Sequence, residues 1–207
     1  VVVTAGGTRE PVDRVRFLGS YSTGKMGFAL AREARDQGAD VTLISAPTNL
    51  MAPVGVKQIE VNTAQEMLAA VRKEVEGAGV LIMAAEVADY RPAKVEAGKI
   101  REGEKVSLAL VKNPDILMEV KEPVIKVGFA TEPSNFKDAA AVKLSRKGLD
   151  LIVARQLEGP YAEDEDSSQV SIIDKDGSVT DLPLQSIERI AREVLRKVSV
   201  LLKPYPR

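Results

Sequence analysis

Short apolar runs alternate with amphipathic segments of helix length along most of the chain, and this alternation is the feature that most constrains the fold. Such a pattern is typical of a mostly parallel β-sheet flanked by helices. The main strands are predicted at residues 1–4, 41–45, 56–61, 80–85, 124–129 and 149–154. We therefore predict an α/β, Rossmann-like fold, with residues 1–207 forming one domain.

The segments between these strands carry helix and turn signals. A helix is predicted to open at Ser22-Thr23-Gly24 and run to about residue 37, and the capping box Thr63-x-x-Glu66 opens the next. Asn113-Pro114 predicts a short helix with proline at its first position. The last two helices are expected at residues 135–147 and 184–202, and loops at 91–103 (polar and mobile) and 158–168 (acidic). Extra β elements are expected at 106–111 and in a hairpin of 170–173 with 179–182.

Two residue types that the chain lacks restrict its chemistry. It contains no Cys and no His, which excludes disulfides, thiolate metal sites, a Ser-His-Asp triad and histidine-bound metals. The groups that remain available for chemistry are carboxylates, lysines, hydroxyls, backbone amides and Mg²⁺ bound by carboxylates or by a substrate. Such groups suit reactions in which an enzyme positions its reactants and neutralises their charge.

Charge and hydropathy argue against nucleic acid or a membrane as partner. Lys and Arg number 29 against 30 Asp and Glu, for a formal net charge of -1, whereas duplex binding normally needs a basic excess. Aromatic residues are scarce, at 4%. No apolar run reaches the ~18 residues of a membrane span, and no signal peptide is evident. We expect a cytoplasmic protein that binds small molecules, and the start at Val1, without an initiator Met, is consistent with a fragment of a longer chain.

The glycine-rich segments do not match the two common phosphate-binding fingerprints. Gly19-x-x-x-x-Gly24-Lys25 has Met26 in place of the Mg²⁺-binding Ser or Thr of a P-loop, and the turn at Gly6-Gly7 lacks the G-x-G-x-x-G spacing. The second strand also lacks the acidic residue that an NAD site needs, which weakens an NAD(P)-dependent oxidoreductase as an alternative. A helix start at residues 22–25 would suit a phosphate, or Ser22 would simply be an N-cap.

Several polar residues follow predicted strands at the edge where open α/β sheets bind ligands. Asp89 would accept hydrogen bonds from a base or sugar, or would cap a helix or pair with a cation. Lys143 and Lys147 lie one helical turn apart and would clamp a triphosphate, or would form a solvated face. Lys99, in the predicted mobile loop, would close over a ligand or would be a surface lysine.

The order of these features resembles that of the phosphopantothenate–cysteine ligases, which in many bacteria form the second half of a bifunctional coenzyme A biosynthesis protein. The matching segments are TAGGTREP at 4–11, STGKMG at 22–27, VADYR at 87–91, KNPDI at 112–116 and GFA at 128–130. The resemblance implies that the carboxylate of 4′-phosphopantothenate attacks the α-phosphorus of CTP. The amine of cysteine then displaces CMP from the acyl-cytidylate, with Mg²⁺ assisting and a homodimer as the working unit.

The resemblance also implies site residues. The nucleotide would contact Ala84, Ala85, Asp89, Lys99, Pro114, Asp115, Ile116, Leu117, Phe129, Lys143 and Lys147. The reacting groups would lie near Gly6, Gly7, Thr8, Ser22, Thr23, Gly24 and Lys25. Ser20, in place of the usual Asn, and Lys99 would be catalytic, and the extra β elements would pair across the dimer.

Four places depart from the usual pattern of that family. Ser20 and Arg155 stand where Asn is usual, and Glu86 stands where a small Ala is usual beside the nucleotide. Residues 161–166 do not reproduce the Gly-Phe-x-Ser-Asp pattern of the family. A carboxylate near a triphosphate repels it unless Arg91 or a metal offsets the charge. A CTP-binding homologue that has lost ligation is therefore the alternative function.

Overall fold

The computed structural model describes residues 1–101, 105–132, 135–156 and 166–202. Twelve strands and five helices lie within these ranges. The strands are β1 (Val2–Ala5), β2 (Arg9–Pro11), β3 (Phe17–Gly19), β4 (Thr42–Ser45), β5 (Lys57–Glu60), β6 (Val80–Met83), β7 (Tyr90–Pro92), β8 (Leu110–Lys112), β9 (Ile125–Glu132), β10 (Leu151–Gln156), β11 (Ser167–Asp174) and β12 (Val179–Ser186). The helices are α1 (Lys25–Asp36), α2 (Ala64–Val75), α3 (Ile116–Glu119), α4 (Phe136–Lys147) and α5 (Ile187–Leu201).

Eight strands form one sheet in the order β12-β11-β10-β9-β6-β1-β4-β5. The strands from β10 to β5 are parallel, and β11 and β12 add an antiparallel edge. The chain leaves β1 towards β4 and β5, then returns to place β6 on the other side of β1. The gap between β1 and β6 is therefore a topological switch point, where ligands of open α/β sheets bind. The predicted α/β fold is confirmed.

Helices cover both faces of the sheet. On one face α1 and α5 contribute Phe28, Leu30, Ile190 and Val194 to an apolar core. On the other face α2, α3 and α4 pack the remaining apolar side chains against the strands, among them Met67, Val71, Leu117 and Leu144. This two-sided burial explains why β1 and β6 are buried at every residue. No helix in the described residues is long and apolar enough to cross a membrane.

Several predicted boundaries differ from the structure. The strand predicted at residues 106–111 is formed only at Leu110–Lys112. The first helix begins at Lys25, not Ser22, because Gly24 adopts a left-handed conformation with φ 78 directly before it. The short helix begins after Asp115, so Pro114 is not its first residue. Strand β12 continues to Ser186, and the last helix therefore starts at Ile187, not 184. The predicted acidic loop lies largely outside the described residues, but its last two residues, 167 and 168, belong to β11.

Two small hairpins were not predicted as such. Strands β2 and β3 pair with each other, and β7 pairs with β8. The second hairpin places residues 91 and 92 of the predicted mobile loop in a strand. The loop is also held at Glu96, whose N–H donates to the Val12 carbonyl (3.0 Å), and at Ile100, whose N–H donates to Asp13 Oδ2 (3.0 Å). The predicted hairpin of 170–182 exists, but it extends the main sheet.

Candidate functional site

Two adjoining cavities lie at the carboxyl ends of β1, β6, β9 and β10, beside the switch point. The larger has a volume of about 410 Å³ and the smaller about 100 Å³. Among the described residues, the linings share Glu86, Phe129, Ala130 and Thr131. The two cavities therefore meet at the ends of β6 and β9.

The larger cavity brings together nine of the predicted nucleotide-binding residues. They come from the loop after β6, the segment that leads into α3, the end of β9 and one face of α4: Ala85, Asp89, Pro114, Asp115, Ile116, Leu117, Phe129, Lys143 and Lys147. Arg146 lines the same cavity and was not predicted. The sequence offered a signal for it, since it lies between the two predicted lysines in α4.

Three buried side chains hold the loop that carries Asp89. Thr4 Oγ1 accepts the N–H of Ala85 (3.1 Å), and Thr8 Oγ1 accepts the N–H of Ala88 (2.9 Å). Asn113 Nδ2 donates to the Ala88 carbonyl (2.8 Å). Thr8 is fully buried and lines neither cavity, so in this structure it supports the site through Ala88. Its predicted contact with substrate stays a prediction.

Both predicted triphosphate lysines are paired with carboxylates in the unliganded chain. Lys143 forms an ion pair with Glu132, and Lys147 Nζ lies 3.0 Å from Asp115 Oδ2. Their side chains are 38% and 23% exposed, so both ammonium groups remain accessible from the cavity. An anionic ligand would compete with the two carboxylates for them.

The smaller cavity lies at the start of α1. Its lining includes Ser22, Thr23, Gly24, Lys25 and Ala84, together with apolar side chains of β10, β11 and α5. Four predicted substrate-side residues and one predicted nucleotide residue, Ala84, thus fall here. Lys25 Nζ also bonds to Asp166 Oδ1 (3.0 Å) at the start of β11.

Close backbone approach at this cavity requires glycines. Gly6 and Gly24 both have positive φ, at 77° and 78°. A Cβ on Gly24 would lie 2.7 Å from Thr48 Cγ2 and 3.2 Å from the Gly6 nitrogen, and one on Gly6 would lie 2.8 Å from the Ala46 carbonyl oxygen. Gly24 therefore lets the start of α1 approach the turn after β1, and Gly6 lets that turn approach the segment after β4.

Four further predicted residues, Gly6, Gly7, Ser20 and Lys99, line neither cavity. Gly7 packs against the segment after β3, where a Cβ would come 2.8 Å from the Ser20 carbonyl oxygen. The side chain of Ser20 is exposed. Lys99 lines a separate cavity of about 530 Å³, whose other described lining residues lie within 93–100 and 106–109. In a single chain the structure does not bring Ser20 or Lys99 to the nucleotide residues, and their catalytic roles stay predictions.

Glu86 and Arg155 both line the smaller cavity, and Glu86 lines the larger one as well. Burial raises the pKa of the Glu86 carboxyl, whereas Arg155 and Lys143 act to lower that pKa. Arg155 Nε donates to Thr131 Oγ1 (3.1 Å). The cations that offset Glu86 are thus Arg155 and Lys143, and not Arg91, which bonds to the side chain of Asn113 (2.9 Å).

Comparison with known proteins assigns the family. The family model described as "DNA/pantothenate metabolism flavoprotein C-terminal domain" matches residues 1–201. The chain belongs to this family. Among curated members, it is 40% identical over 208 residues to the coenzyme A biosynthesis bifunctional protein CoaBC of Escherichia coli. That match covers 96% of the chain but 51% of CoaBC, so the chain spans about half the length of the curated relatives it matches.

Solved structures of this flavoprotein C-terminal domain family share the fold. A crystal structure of the C-terminal domain of CoaBC superimposes with a TM-score of 0.84 at 37% identity, covering 97% of this chain and 94% of the other. A Cab2 variant in complex with phosphopantothenate-cysteine superimposes with a TM-score of 0.73 at 17% identity, covering 97% and 85%. The second likeness concerns the fold alone.

Proposed function

We propose that this chain is a ligase that joins 4′-phosphopantothenate to cysteine, using CTP and Mg²⁺ through an acyl-cytidylate intermediate. The observation that carries the proposal is the larger cavity, which gathers nine predicted nucleotide-binding residues at the switch point of the sheet. The coenzyme A biosynthesis proteins among the relatives support the choice of reaction. The cytoplasm, where coenzyme A intermediates are made, is the expected location.

The residues of the larger cavity suit a nucleoside triphosphate. The Asp89 carboxylate accepts hydrogen bonds from the base or sugar, and the Phe129 ring supplies an apolar surface beside it. Lys143, Lys147 and Arg146 would bind the phosphates, since cationic donors form strong hydrogen bonds with phosphate oxygens. The nucleotide thus extends from the loop after β6 towards α4.

The start of α1 suits the acidic substrate. Its first turn contains no acidic residue, and Gly24 gives it no side-chain cap. Backbone N–H groups and the positive end of the helix dipole at such a terminus favour an anion. The 4′-phosphopantothenate carboxylate would approach the α-phosphorus where the two cavities meet. Neither nucleophile of the reaction belongs to the protein, which agrees with the lack of Cys and His.

Mg²⁺ belongs with the substrate in this proposal. The described residues contain no group of three or more acidic, His or Cys side chains placed to hold a metal. A Mg²⁺ ion that binds the phosphates of CTP therefore fits better than a protein-held ion, because such an ion keeps most of its ligands as phosphate oxygens and water.

The test is pyrophosphate release from purified protein with 4′-phosphopantothenate, CTP and Mg²⁺, before and after cysteine is added. We expect release with CTP alone as nucleotide and formation of the amide only after cysteine arrives. A folded protein that binds CTP but releases no pyrophosphate would overturn the ligase proposal and favour the alternative, a CTP-binding homologue without ligation.

The two lysines of α4 provide a test of the nucleotide cavity. We expect Lys143→Ala and Lys147→Ala each to weaken CTP binding about 10-fold, the lower end of the range for a charged hydrogen bond, because each lysine must first leave a carboxylate. Lys57→Ala is the matched control, since Lys57 is an ion-paired lysine at the opposite edge of the sheet. Calorimetry measures the affinities, and unchanged binding in both variants would remove these lysines from the site.

Ser20 is the residue that most favours the non-ligating alternative. Its side chain lines neither cavity, and it is shorter than the amide usual in the ligases. We expect Ser20→Asn to accelerate ligation by restoring a longer donor, with Ser20→Ala as its control. A rate for Ser20→Asn that equals or falls below that of the parent protein would show that the site works around Ser20. The oxidoreductase alternative is disfavoured, because Ser45 ends β4 and Ala46 follows it where an NAD site would need a carboxylate.

A homodimer would complete the site in this proposal. The β7–β8 hairpin and the segment beside it expose several apolar side chains, including Tyr90, Val106, Leu108 and Leu110. Exposed apolar groups clustered on one element favour contact with a partner chain. A second copy would cover this arm and could bring Lys99 from one chain to the cavities of the other.

A further inference from the structure

Glu86 lies where the two cavities of the site meet. Of the four described residues that line both cavities, Glu86 is the one with an ionisable side chain; the others are Phe129, Ala130 and Thr131. The place where the cavities meet is where the nucleotide and the acyl group would be joined. A carboxyl group at this point is therefore within reach of the reacting atoms.

The backbone of Glu86 is fixed from two directions. Its N–H donates to the Gly6 carbonyl (2.9 Å), and its carbonyl accepts the N–H of Thr8 (3.0 Å). Both partners belong to the glycine-rich turn after β1. The side chain thus extends from an anchored Cα, which is the condition for a group that must meet a reacting atom reproducibly.

Its electrostatic surroundings favour proton exchange. Burial raises the pKa of the carboxyl and the charge of Asp89 raises it further, while Arg155 and Lys143 act in the opposite direction. The charged groups beside it that line the cavities are Lys25 of α1, Asp89 after β6, Lys143 of α4 and Arg155 of β10. Glu132 of β9 forms an ion pair with Lys143. A carboxylate with a raised pKa is a stronger base than an exposed one.

We propose that Glu86 is the catalytic base of the amide-forming half of the reaction, a step that rests on the proposed function. As the amine nitrogen of cysteine bonds to the acyl carbon, that nitrogen becomes cationic and gives one proton to the Glu86 carboxylate. The C–O bond to the cytidylate breaks, and its electron pair leaves on the phosphate of CMP. The amide, CMP and protonated Glu86 result, and Glu86 then returns its proton to solvent.

The test compares two nucleophiles on the same acyl-cytidylate. Protein is first allowed to release pyrophosphate with 4′-phosphopantothenate and CTP, and either cysteine or hydroxylamine is then added. For Glu86→Gln we expect the rate of amide formation with cysteine, relative to pyrophosphate release, to fall about 10²-fold. With hydroxylamine the fall should be much smaller, because its far less basic nitrogen loses the proton readily to water.

The pH profile gives a second, independent signature. At pH values below the pKa of Glu86, the step with cysteine in the parent protein is slowed twice. The cysteine amine is protonated and cannot attack, and Glu86 is protonated and cannot accept a proton. In the parent protein, a plot of the logarithm of the rate against pH should therefore rise with a slope approaching two. In Glu86→Gln the slope should be near one. Glu86→Asp, which keeps the base on a shorter side chain, should retain the steeper slope at a reduced rate.

Controls separate this role from others. Glu132→Gln, like Glu86→Gln, removes one negative charge near Lys143, but Glu132 lines neither cavity. This variant should therefore leave the ratio of the cysteine and hydroxylamine rates unchanged. Equal losses with both nucleophiles in Glu86→Gln, or a raised KM for cysteine with an unchanged limiting rate, would overturn the proposal. Absence of pyrophosphate release in the parent protein would instead overturn the proposed function itself, and the base with it.

Discussion

The hydroxyl of Thr8 connects the glycine-rich turn after β1 to the loop that carries Asp89, and Thr8→Val removes it with little change of shape. The hydroxyl accepts the N–H of Ala88 at 2.9 Å, and both residues are buried. Valine leaves that N–H without a partner, at a cost of about 1–3 kcal/mol. For a chain of this size, this corresponds to a fall in Tm of about 2–12 °C.

Thermal unfolding followed by circular dichroism measures this loss. Thr8→Ser is the matched control, because it keeps the acceptor and removes a methyl group. We expect Thr8→Val to be the less stable of the two and to bind CTP more weakly, since Ala88 precedes Asp89. A Tm for Thr8→Val equal to that of the parent protein would refute the view that this hydroxyl supports the loop.

Two further predictions concern packing and acid stability. Gly27→Ala should destabilise the protein by up to about 2 kcal/mol in chemical denaturation. The new Cβ would lie 2.5 Å from Ala5 Cβ, and this overpacking costs about 1–3 kcal/mol, against a gain of ~1 kcal/mol in helix propensity. Gly98→Ala, whose Cβ meets nothing within 4 Å, should be neutral. Backbone N–H groups, foremost that of Ile100, hold the pKa of Asp13 far below its usual range, so its contribution is complete above the ordinary carboxyl pKa and disappears on strong acidification. Asp13→Asn should therefore lose less unfolding free energy than the parent protein between neutral and strongly acidic pH, and an equal loss would contradict this account.

The main sheet could be predicted from the sequence because its strands are apolar on both faces. Strand β6 is a short, continuous apolar run, and β1 is one except for Thr4. The hairpins of β2 with β3 and of β7 with β8 have three-residue strands of mixed polarity, too short to show a period of two. The start of α1 was misplaced for a different reason: the cap rule favours Ser22, but the left-handed Gly24 brings the chain into the helix three residues later.

Phe129, which lies within β9, was predicted from the family resemblance alone. Asp89 was predictable for a topological reason, because it follows a parallel strand and the carboxyl ends of such strands meet at one edge of the sheet. The residues that hold this edge in place were not. The hydroxyl of Thr4 bonds to a backbone N–H 81 residues away, and the amide of Asn113 to a carbonyl 25 residues away. No local pattern distinguishes such partners from ordinary buried polar residues.

The pairing of the lysines explains how a chain of net charge -1 can keep a cationic cavity. Lys143 and Lys147 lie opposite Glu132 and Asp115, so their charges are balanced while the site is empty. Each pair is partly exposed and so contributes about 0–1 kcal/mol, whereas a charged hydrogen bond to a ligand contributes about 1.5–3 kcal/mol. The exchange therefore favours the triphosphate, but by less than the lysines alone would suggest. The affinity of this site for a nucleotide depends as much on how weakly the carboxylates hold the lysines as on the lysines themselves.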